Sequence, residues 1–287
     1  MDDTRPTAQG YTVASSAKGP LRVILDFDGT LVEPNVAILL VEEFVPDGHA
    51  IAHEIDLKLH EGQMGLREAW QRQAALLPID RIPEMSRFVR DRVPLRRGAR
   101  ELLNLLQRHT IPVTVVSGGL EFYIREVLDR EGIDLPVQSD HLVVAPDGTP
   151  RVVHPYEHPT CRLCGICKAA IVERGDSGPR TVFVADGSTD RYGAETADIV
   201  FARRRLLEYC RRVGIPCFPF EDFGPVTEQF ARWLDEGRDL PPLRRRGLAG
   251  SACPISQRLW APGTEPQPNG DPLRGRDPVV GGRITQD

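Results

Sequence analysis

The segment "LRVILDFDGTLVE", residues 21–33, is the stretch that decides the fold. Its first residues form a nearly continuous apolar run, which is typical of a strand buried on both faces of a parallel sheet. The run ends at Asp26 and Asp28, two acids one residue apart, followed by Gly29 and Thr30. Carboxylates at this spacing repel each other unless a cation or water screens them. An Asp-Gly turn after a strand is also common, so the segment alone leaves a purely structural role open.

Similar apolar runs recur along the chain and alternate with helical patterns. This alternation predicts an α/β fold, a doubly wound (Rossmann-like) parallel sheet with helices on both sides. Ligands bind such sheets at the carboxyl ends of the strands, where Asp26, Ser117 and Asp186 are expected to lie. The predicted strands cover 21–27, 111–117, 180–186 and 197–202, and the predicted helices cover 98–109, 120–132 and 168–175.

Between the first two strands the sequence shows only helical patterns, which predicts a helical cap inserted into the core. The last part of the chain changes composition, since 241–287 contains 8 of the 25 Pro and 7 of the 26 Gly. Such a composition is typical of disorder. The predicted organisation is a disordered N-terminus (1–19), an α/β core (20–33 and 96–237), a helical cap (34–95) and a disordered tail (238–287).

Composition narrows the class of partner. The 287 residues carry a formal charge of -5, and this lack of basic excess disfavours nucleic acid as a partner. A membrane is disfavoured too, because no stretch approaches the roughly 20 apolar residues of a membrane span. The N-terminus lacks a signal-peptide pattern, so we expect a cytoplasmic protein, as a monomer or homodimer.

Three further segments contain residues that could bind phosphate or take part in catalysis. Ser117 precedes Gly118 and a helix, an arrangement that can hold a phosphoryl oxygen but also occurs as a plain helix cap. Lys168 is one of only three Lys in a chain that otherwise uses Arg, although a single Lys is usually a solvated surface residue. Asp186 ends an apolar run, and Asp190 follows four residues later.

Taken in this order, the motifs resemble those of the haloacid dehalogenase-like phosphatases. The resemblance implies that Asp26 attacks phosphorus to form an aspartyl-phosphate and that Asp28 is the general acid and base. Ala185 stands where the family usually has Gly, a small change. The implied phosphate and substrate contacts are Thr30, Ser117, Gly118 and Lys168. The implied Mg²⁺ ligands are Asp26, the backbone carbonyl of Asp28 and Asp186. The resemblance also implies that Asp190 orients a metal-bound water or pairs with Lys168.

Within that family, 20–237 resembles the group around the methionine-salvage phosphatase, and more distantly the phosphoserine phosphatases. The resemblance implies a small phosphorylated metabolite such as 2-hydroxy-3-keto-5-methylthiopentenyl-1-phosphate. Glu33 could bind a substrate amine or hydroxyl over the site, or it could be a solvated acid at the start of a helix. Two other functions remain open: a phosphotransferase or mutase with the same intermediate, and a regulatory protein that binds phosphometabolites.

A cysteine cluster lies just before Lys168. Cys161, Cys164 and Cys167 have the spacing C-x₂-C-x₂-C, and His158 precedes them. Thiolates and an imidazole at this spacing could hold a structural Zn²⁺. They could equally be reduced thiols that shape the loop presenting Lys168, because no second CxxC pair completes the zinc signature.

Overall fold

The computed structural model describes residues 21–173 and 178–260. Its core is a seven-stranded sheet in the order β4-β3-β2-β1-β5-β6-β7, in which β4 alone is antiparallel to its neighbour. The predicted doubly wound α/β fold is therefore confirmed. The strands are β1 Leu21–Leu25, β2 Val113–Leu120, β3 Val137–Val144, β4 Pro150–Val153, β5 Arg180–Ala185, β6 Ile199–Ala202 and β7 Phe218–Pro219.

Helices cover both faces of the sheet. None of the helices in the described part of the chain is long and apolar enough to cross a membrane. The helices are α1 Val36–Phe44, α2 Gly48–His60, α3 Leu66–Ala74, α4 Ile82–Arg92, α5 Ala99–Arg108, α6 Glu121–Arg130, α7 Lys168–Val172, α8 Arg191–Thr196, α9 Arg204–Val213, α10 Phe223–Leu234 and α11 Pro254–Leu259.

The central strand β1 shows why its sequence is apolar throughout. Val23 and Leu25 point into the larger hydrophobic cluster, which α5, α6 and α10 cover, whereas Ile24 points into the cluster covered by α7, α8 and α9. Successive side chains of a strand face opposite sides of the sheet, so a strand covered on both sides needs apolar residues at every position. This burial fixes the direction in which β1 delivers Asp26.

Helices α1 to α4 form the inserted cap over the carboxyl edge of the sheet. The chain leaves and re-enters the core at one place, where Val32 and Leu95 form an antiparallel bridge. The cap is also tied to the core by side chains. Arg205 binds Asp56 through two hydrogen bonds of 2.9 Å, and the indole of Trp70 donates to the carbonyl of Gly118. The cap therefore stands closed over the end of β2.

The structure corrects the expectation of a disordered tail for residues 241–260. This segment includes α11 and buries Cys253 and Ile255 against α7 and α8. Its anchor is Glu195, a buried acid whose carboxylate accepts hydrogen bonds from Ser251 and Tyr209. Composition averages over a Pro/Gly-rich stretch and misses such short packing contacts. Residues 261–287 and the predicted disordered residues 1–19 lie outside the described residues.

Arg96 fastens the turn that follows β1. The side chain is 6% exposed and donates to the carbonyls of Thr30 and Gly29 at 2.8 Å and of Glu221 at 3.2 Å. Hydrogen bonds from a charged donor to buried carbonyls contribute more than neutral ones, and loss of the donor leaves the acceptors desolvated.

We expect Arg96→Met to lower the free energy of unfolding by about 2–4 kcal/mol. The matched control is Arg97→Met, because the neighbouring Arg97 side chain is 84% exposed and pairs with Asp222 at the surface. That control should change stability by less than about 1 kcal/mol. Urea denaturation measures both, and equal losses would contradict the assigned role of Arg96.

Candidate active site

The site begins at the turn after β1. Asp26 continues the strand, since its backbone N–H donates to the carbonyl of Val184 on β5 at 2.9 Å. Gly29 then turns the chain with φ +73°, and a Cβ at this position would lie 2.5 Å from a carboxylate oxygen of Asp186. Glycine is thus required both for the left-handed conformation and for the close approach of Asp186. The turn brings the acids that follow β1 and β5 together.

Lys168 connects these acids. Its ammonium lies 2.6 Å from Oδ1 of Asp26 and 2.5 Å from Oδ1 of Asp190, and all three side chains are buried. Burial alone would lower the pKa of Lys168, but Asp190 and Asp26 outweigh it and raise that pKa. Burial, with Asp190 nearby, raises the pKa of Asp26 well above its ordinary value, and Lys168 opposes this rise. Lys168 therefore carries its charge and favours the ionised form of Asp26.

Asp28 has a different environment from Asp26. Its Oδ2 accepts a hydrogen bond of 2.7 Å from the hydroxyl of Tyr123, and its Oδ1 accepts one of 2.7 Å from the N–H of Val36 at the start of α1. Burial raises the pKa of Asp28 to about 6, although Tyr123 and Val36 both act to lower it. Asp28 can consequently hold or release a proton near neutral pH, as acid–base work requires.

Asp186 joins Asp26 and Asp190 in a group of three buried acids whose carboxylate oxygens lie within 4.8 Å of one another. Burial and Asp190 raise the pKa of Asp186 to about 6, while Arg203 and Arg204 oppose the rise. Among the described residues, Lys168 is the only cation that donates hydrogen bonds to this group, while Arg203 and Arg204 each lie 3.9 Å from Oδ2 of Asp186. Hard oxygen donors with excess negative charge suit Mg²⁺.

Ser117 lies in an irregularity of β2 rather than at its end. The strand register to β3 shifts between Val116 and Leu120, so the predicted strand end at 117 is three residues early. The Ser117 hydroxyl lies 3.5 Å from Asp28 Oδ2 and accepts the N–H of Gly119 at 3.0 Å. Gly119 packs so closely that a Cβ there would meet Tyr123 and Asp28. The shift turns Ser117 and Gly118 toward the acids.

A cavity of about 400 Å³ opens between these residues and the cap. Asp26, Asp28 and Asp186 line it, together with Ser117 and Gly118. The cap contributes mostly apolar side chains, whereas its polar contributions are few. The apolar cap side chains that line it include Ile38, Ile55, Leu59, Leu66 and Trp70, and the polar ones are Asn35, Asp56 and Gln73.

Two predicted contacts do not reach this cavity. The Glu33 side chain is 56% exposed, lies 3.8 Å from Arg96 and does not line the cavity, where Asn35 takes its place. Thr30 is buried and donates to Oδ1 of Asp186 at 3.3 Å, so it positions that acid and does not reach a ligand in the cavity. Sequence reasoning missed Tyr123 because its position in α6 reads as an ordinary core residue.

The predicted zinc ligands do not converge. In residues 21–173 and 178–260, no metal-sized group of three ligand atoms includes Cys161, Cys164, Cys167 or His158. His158 instead forms a local turn, with its Nδ1 3.3 Å from the N–H of Thr160. Burial and the thiols of Cys167, Cys161 and Cys253 raise the pKa of Cys164 to about 12. The imidazole and three thiols predicted from the sequence therefore form no tetrahedral site.

Comparison with known sequences identifies relatives that align over almost their entire length. The family model described as haloacid dehalogenase-like hydrolase matches residues 23–195. A protein named 2-hydroxy-3-keto-5-methylthiopentenyl-1-phosphate phosphatase from an Exiguobacterium species is 31% identical over 208 residues, covering 71% of this chain and 94% of the relative. A protein of the same name from Microcystis aeruginosa is 29% identical, covering 72% and 95%.

Solved structures share the fold. A phosphoserine phosphatase described as a phospho-aspartyl intermediate analogue superimposes with a TM-score of 0.56 at 22% identity, covering 74% of this chain and 99% of that one. Cytosolic 5'-nucleotidase IIIB bound to cytidine gives a TM-score of 0.51 at 14% identity, covering 76% and 86%. At these identities the likeness concerns the fold alone.

We expect Tyr123→Phe to raise the pKa of the Asp28 carboxyl above its value of about 6. The Tyr123 hydroxyl donates to the charged form, so its removal favours the protonated form, by about half to one pH unit. Carboxyl ¹³C NMR titration measures the shift, with Asp28→Asn assigning the signal. Tyr209→Phe, which removes a hydroxyl bonded to Glu195, is the matched control and should leave this pKa unchanged. A pKa of Asp28 that stays constant in Tyr123→Phe would contradict the assigned contact.

Proposed function

Since the chain belongs to the haloacid dehalogenase-like hydrolases, we propose that it hydrolyses a small phosphorylated metabolite through a covalent aspartyl-phosphate on Asp26. It is a phosphatase of this family. The observation that carries the proposal is the contrast between two neighbouring acids. Asp26 is paired with the ammonium of Lys168, whereas burial raises the pKa of Asp28 to about 6 and no cation within 21–173 and 178–260 is bonded to it. Two carboxyl groups in unlike environments are suited to separate roles as nucleophile and acid.

In the first step, a carboxylate oxygen of Asp26 attacks phosphorus while the bond from phosphorus to the leaving oxygen breaks. The leaving oxygen takes the electron pair of that bond together with the proton of Asp28. Lys168 lies against Asp26, where its charge offsets that of the phosphoryl group during transfer. Ser117 and Gly118 line the cavity, and in this proposal the Ser117 hydroxyl and the backbone at Gly118 hold phosphoryl oxygens.

In the second step, water attacks phosphorus and gives a proton to the Asp28 carboxylate. The bond between phosphorus and Asp26 breaks, and its electrons return to the Asp26 carboxylate. Inorganic phosphate leaves, and Asp28 is protonated again for the next cycle. The N–H of Val36 and the hydroxyl of Tyr123 hold Asp28 in one orientation through both steps. A pKa near 6 lets one group act first as acid and then as base.

The acidic group fits Mg²⁺. Asp26 and Asp186 would hold the ion together with the backbone carbonyl of Asp28. Both Asp190 oxygens are already engaged, one by Lys168 and the other by the N–H of Gly187 at 2.8 Å, so Asp190 is better placed to orient Lys168. When bound, Mg²⁺ neutralises phosphate charge and keeps the Asp26 carboxylate ionised.

The cap favours a substrate with an apolar end. Within the cavity, Asp56 is the only charged cap residue, and Arg205 already binds it. Leu59, Leu66 and Trp70 offer an apolar wall instead, while the amides of Asn35 and Gln73 can meet hydroxyl or keto oxygens. We therefore propose 2-hydroxy-3-keto-5-methylthiopentenyl-1-phosphate as substrate. Its methylthio group suits this wall better than the charged ammonium and carboxylate of phosphoserine.

The alternatives use the same residues differently. A phosphotransferase or mutase would pass the phosphoryl group from Asp26 to a second hydroxyl, so it would release little inorganic phosphate. A regulatory binder of phosphometabolites would not need an acid of pKa about 6 beside the nucleophile. The hydrolase family and the phosphatase names of the relatives favour hydrolysis over both alternatives.

We expect Asp26→Asn to reduce phosphate release from p-nitrophenyl phosphate by about 1,000-fold or more, because an amide cannot attack phosphorus. Acid-quenched wild-type enzyme should carry one extra phosphoryl group by intact mass, and the variant should carry none. Asp147→Asn, in the exposed hairpin turn, is the control and should keep activity. Retained activity in Asp26→Asn, with its fold verified by circular dichroism, would remove the covalent mechanism.

For substrate choice, we expect the methylthio substrate to have a kcat/KM at least about 100-fold above that of phosphoserine. Leu59→Asn should lower this kcat/KM about tenfold, since it places an amide in the apolar wall, and should change glycerol phosphate little. Leu57→Asn on the same helix is the control, because Leu57 is 43% exposed. Phosphate release measures each rate. A preference for phosphoserine would overturn the proposed substrate and leave the phosphatase chemistry standing.

A further inference from the structure

A second, much smaller cavity lies behind Lys168. Four cysteines line it: Cys161, Cys164 and Cys167 from the loop before α7, and Cys253 from the segment after α10. The cavity has a volume of about 20 Å³, and Lys168 and Thr189 also contribute to its wall. Cys167 and Cys253 are buried and pack together in one cluster with Cys164. Cys210 and Cys217, the other two cysteines of the chain, are not part of this wall.

Independent contacts fix the position of Cys253. The hydroxyl of Ser251 accepts the N–H of Cys253 at 3.1 Å and donates to the buried Glu195 at 2.6 Å. The N–H of Gly247 donates to the backbone carbonyl of Glu195 at 2.7 Å. Contacts outside the cysteine cluster therefore bring a fourth thiol, about 90 residues distant in the chain, to the three consecutive ones.

We propose that Cys161, Cys164, Cys167 and Cys253 form a four-thiolate centre for a thiophilic metal, either an iron–sulfur cluster or a zinc ion. Four Cys thiolates are the ligand set common to both. The proposal replaces His158, which forms a local turn, with Cys253. It is independent of the proposed phosphatase mechanism, because none of the four cysteines lines the larger cavity.

The spacing favours iron. Three cysteines spaced C-x₂-C-x₂-C, with a remote cysteine followed by proline, is the pattern by which ferredoxin-type chains hold one [4Fe–4S] cluster. Here the remote pair is Cys253-Pro254. Structural zinc sites are more often built from two separate pairs of ligands.

The distances between the sulfurs bear on which metal the centre would hold. A tetrahedral zinc ion with Zn–S bonds of about 2.3 Å holds its sulfurs roughly 3.8 Å apart. Within the described ranges, no three of the cysteine sulfurs lie within 4.8 Å of one another, so the thiols are spread more widely than zinc requires. The experiment must therefore identify the metal as well as detect it.

A metal here would affect the larger site through the chain itself. Cys167 directly precedes Lys168, and Thr189 lines both cavities. The centre would join the loop before α7 to the C-terminal segment and so fix the backbone that presents the Lys168 ammonium. This effect on Lys168 matters only if the proposed phosphatase chemistry is right, whereas metal binding by the cysteines is independent of that chemistry.

The test is metal analysis of the full chain purified without oxygen and without chelator. We expect either about four iron and four acid-labile sulfide per chain, with broad absorption near 400 nm and an electron paramagnetic resonance signal after reduction, or one zinc per chain without colour. Either result supports the centre and identifies its occupant. Metal below about one tenth per chain, or a disulfide among these cysteines in place of metal, overturns it.

Single variants then assign the ligands. Cys253→Ser should lose most of the metal, whereas His158→Ala and the matched thiol control Cys217→Ser should retain it. Asp186→Asn should also retain it, which separates this centre from the acidic group. If Cys253→Ser fails to fold, mild chelation of the wild-type chain and reconstitution with iron and sulfide, or with zinc, replaces it. Full metal content in folded Cys253→Ser would overturn Cys253 as the fourth ligand.

Discussion

The site is organised around the ammonium of Lys168, which lies between Asp26 and Asp190. Burying an unpaired ammonium costs several kcal/mol of folding free energy, because the charge loses its water. Neighbouring carboxylates that are buried without a cation are destabilised in the same way and also repel each other. One Lys between two acids satisfies all three groups. It also joins α7 to the residues after β1 and β5, which are far apart in the chain. The loop before α7 and the C-terminal segment pack behind this contact.

The second constraint is the separation of Asp28 from that ion pair. Its carboxylate receives hydrogen bonds from Tyr123 in α6 and from Val36 at the start of α1. Because α1 is the first helix of the cap, the position of the cap and the proton affinity of Asp28 are linked. The N–H of Val36 favours the ionised form of Asp28, whereas burial favours the protonated form and has the larger effect on its pKa. Water exclusion and acid–base strength are then controlled by the same element.

Sequence reasoning was most successful where one physical cause dominates. The apolar strands predicted the sheet, because a strand covered on both faces must be apolar throughout. The order of Asp26, Ser117, Lys168 and Asp186 along the chain predicted a shared sheet edge, where the structure brings them together. Reasoning failed where a role depends on the partner across space. Thr30 faces Asp186 instead of the cavity, and Glu33 points to Arg96 and solvent.

The sequence by itself determined the class of fold and the residue types at the carboxyl edge, since periodicity and motif order are local properties of the chain. Only the tertiary structure decided which neighbours those residues have. Tyr123 became a partner of Asp28 because Gly119 leaves room for its hydroxyl, and Cys253 joined three distant cysteines because Glu195 anchors its segment. Such pairings depend on distances between remote segments, and composition carries no record of those distances.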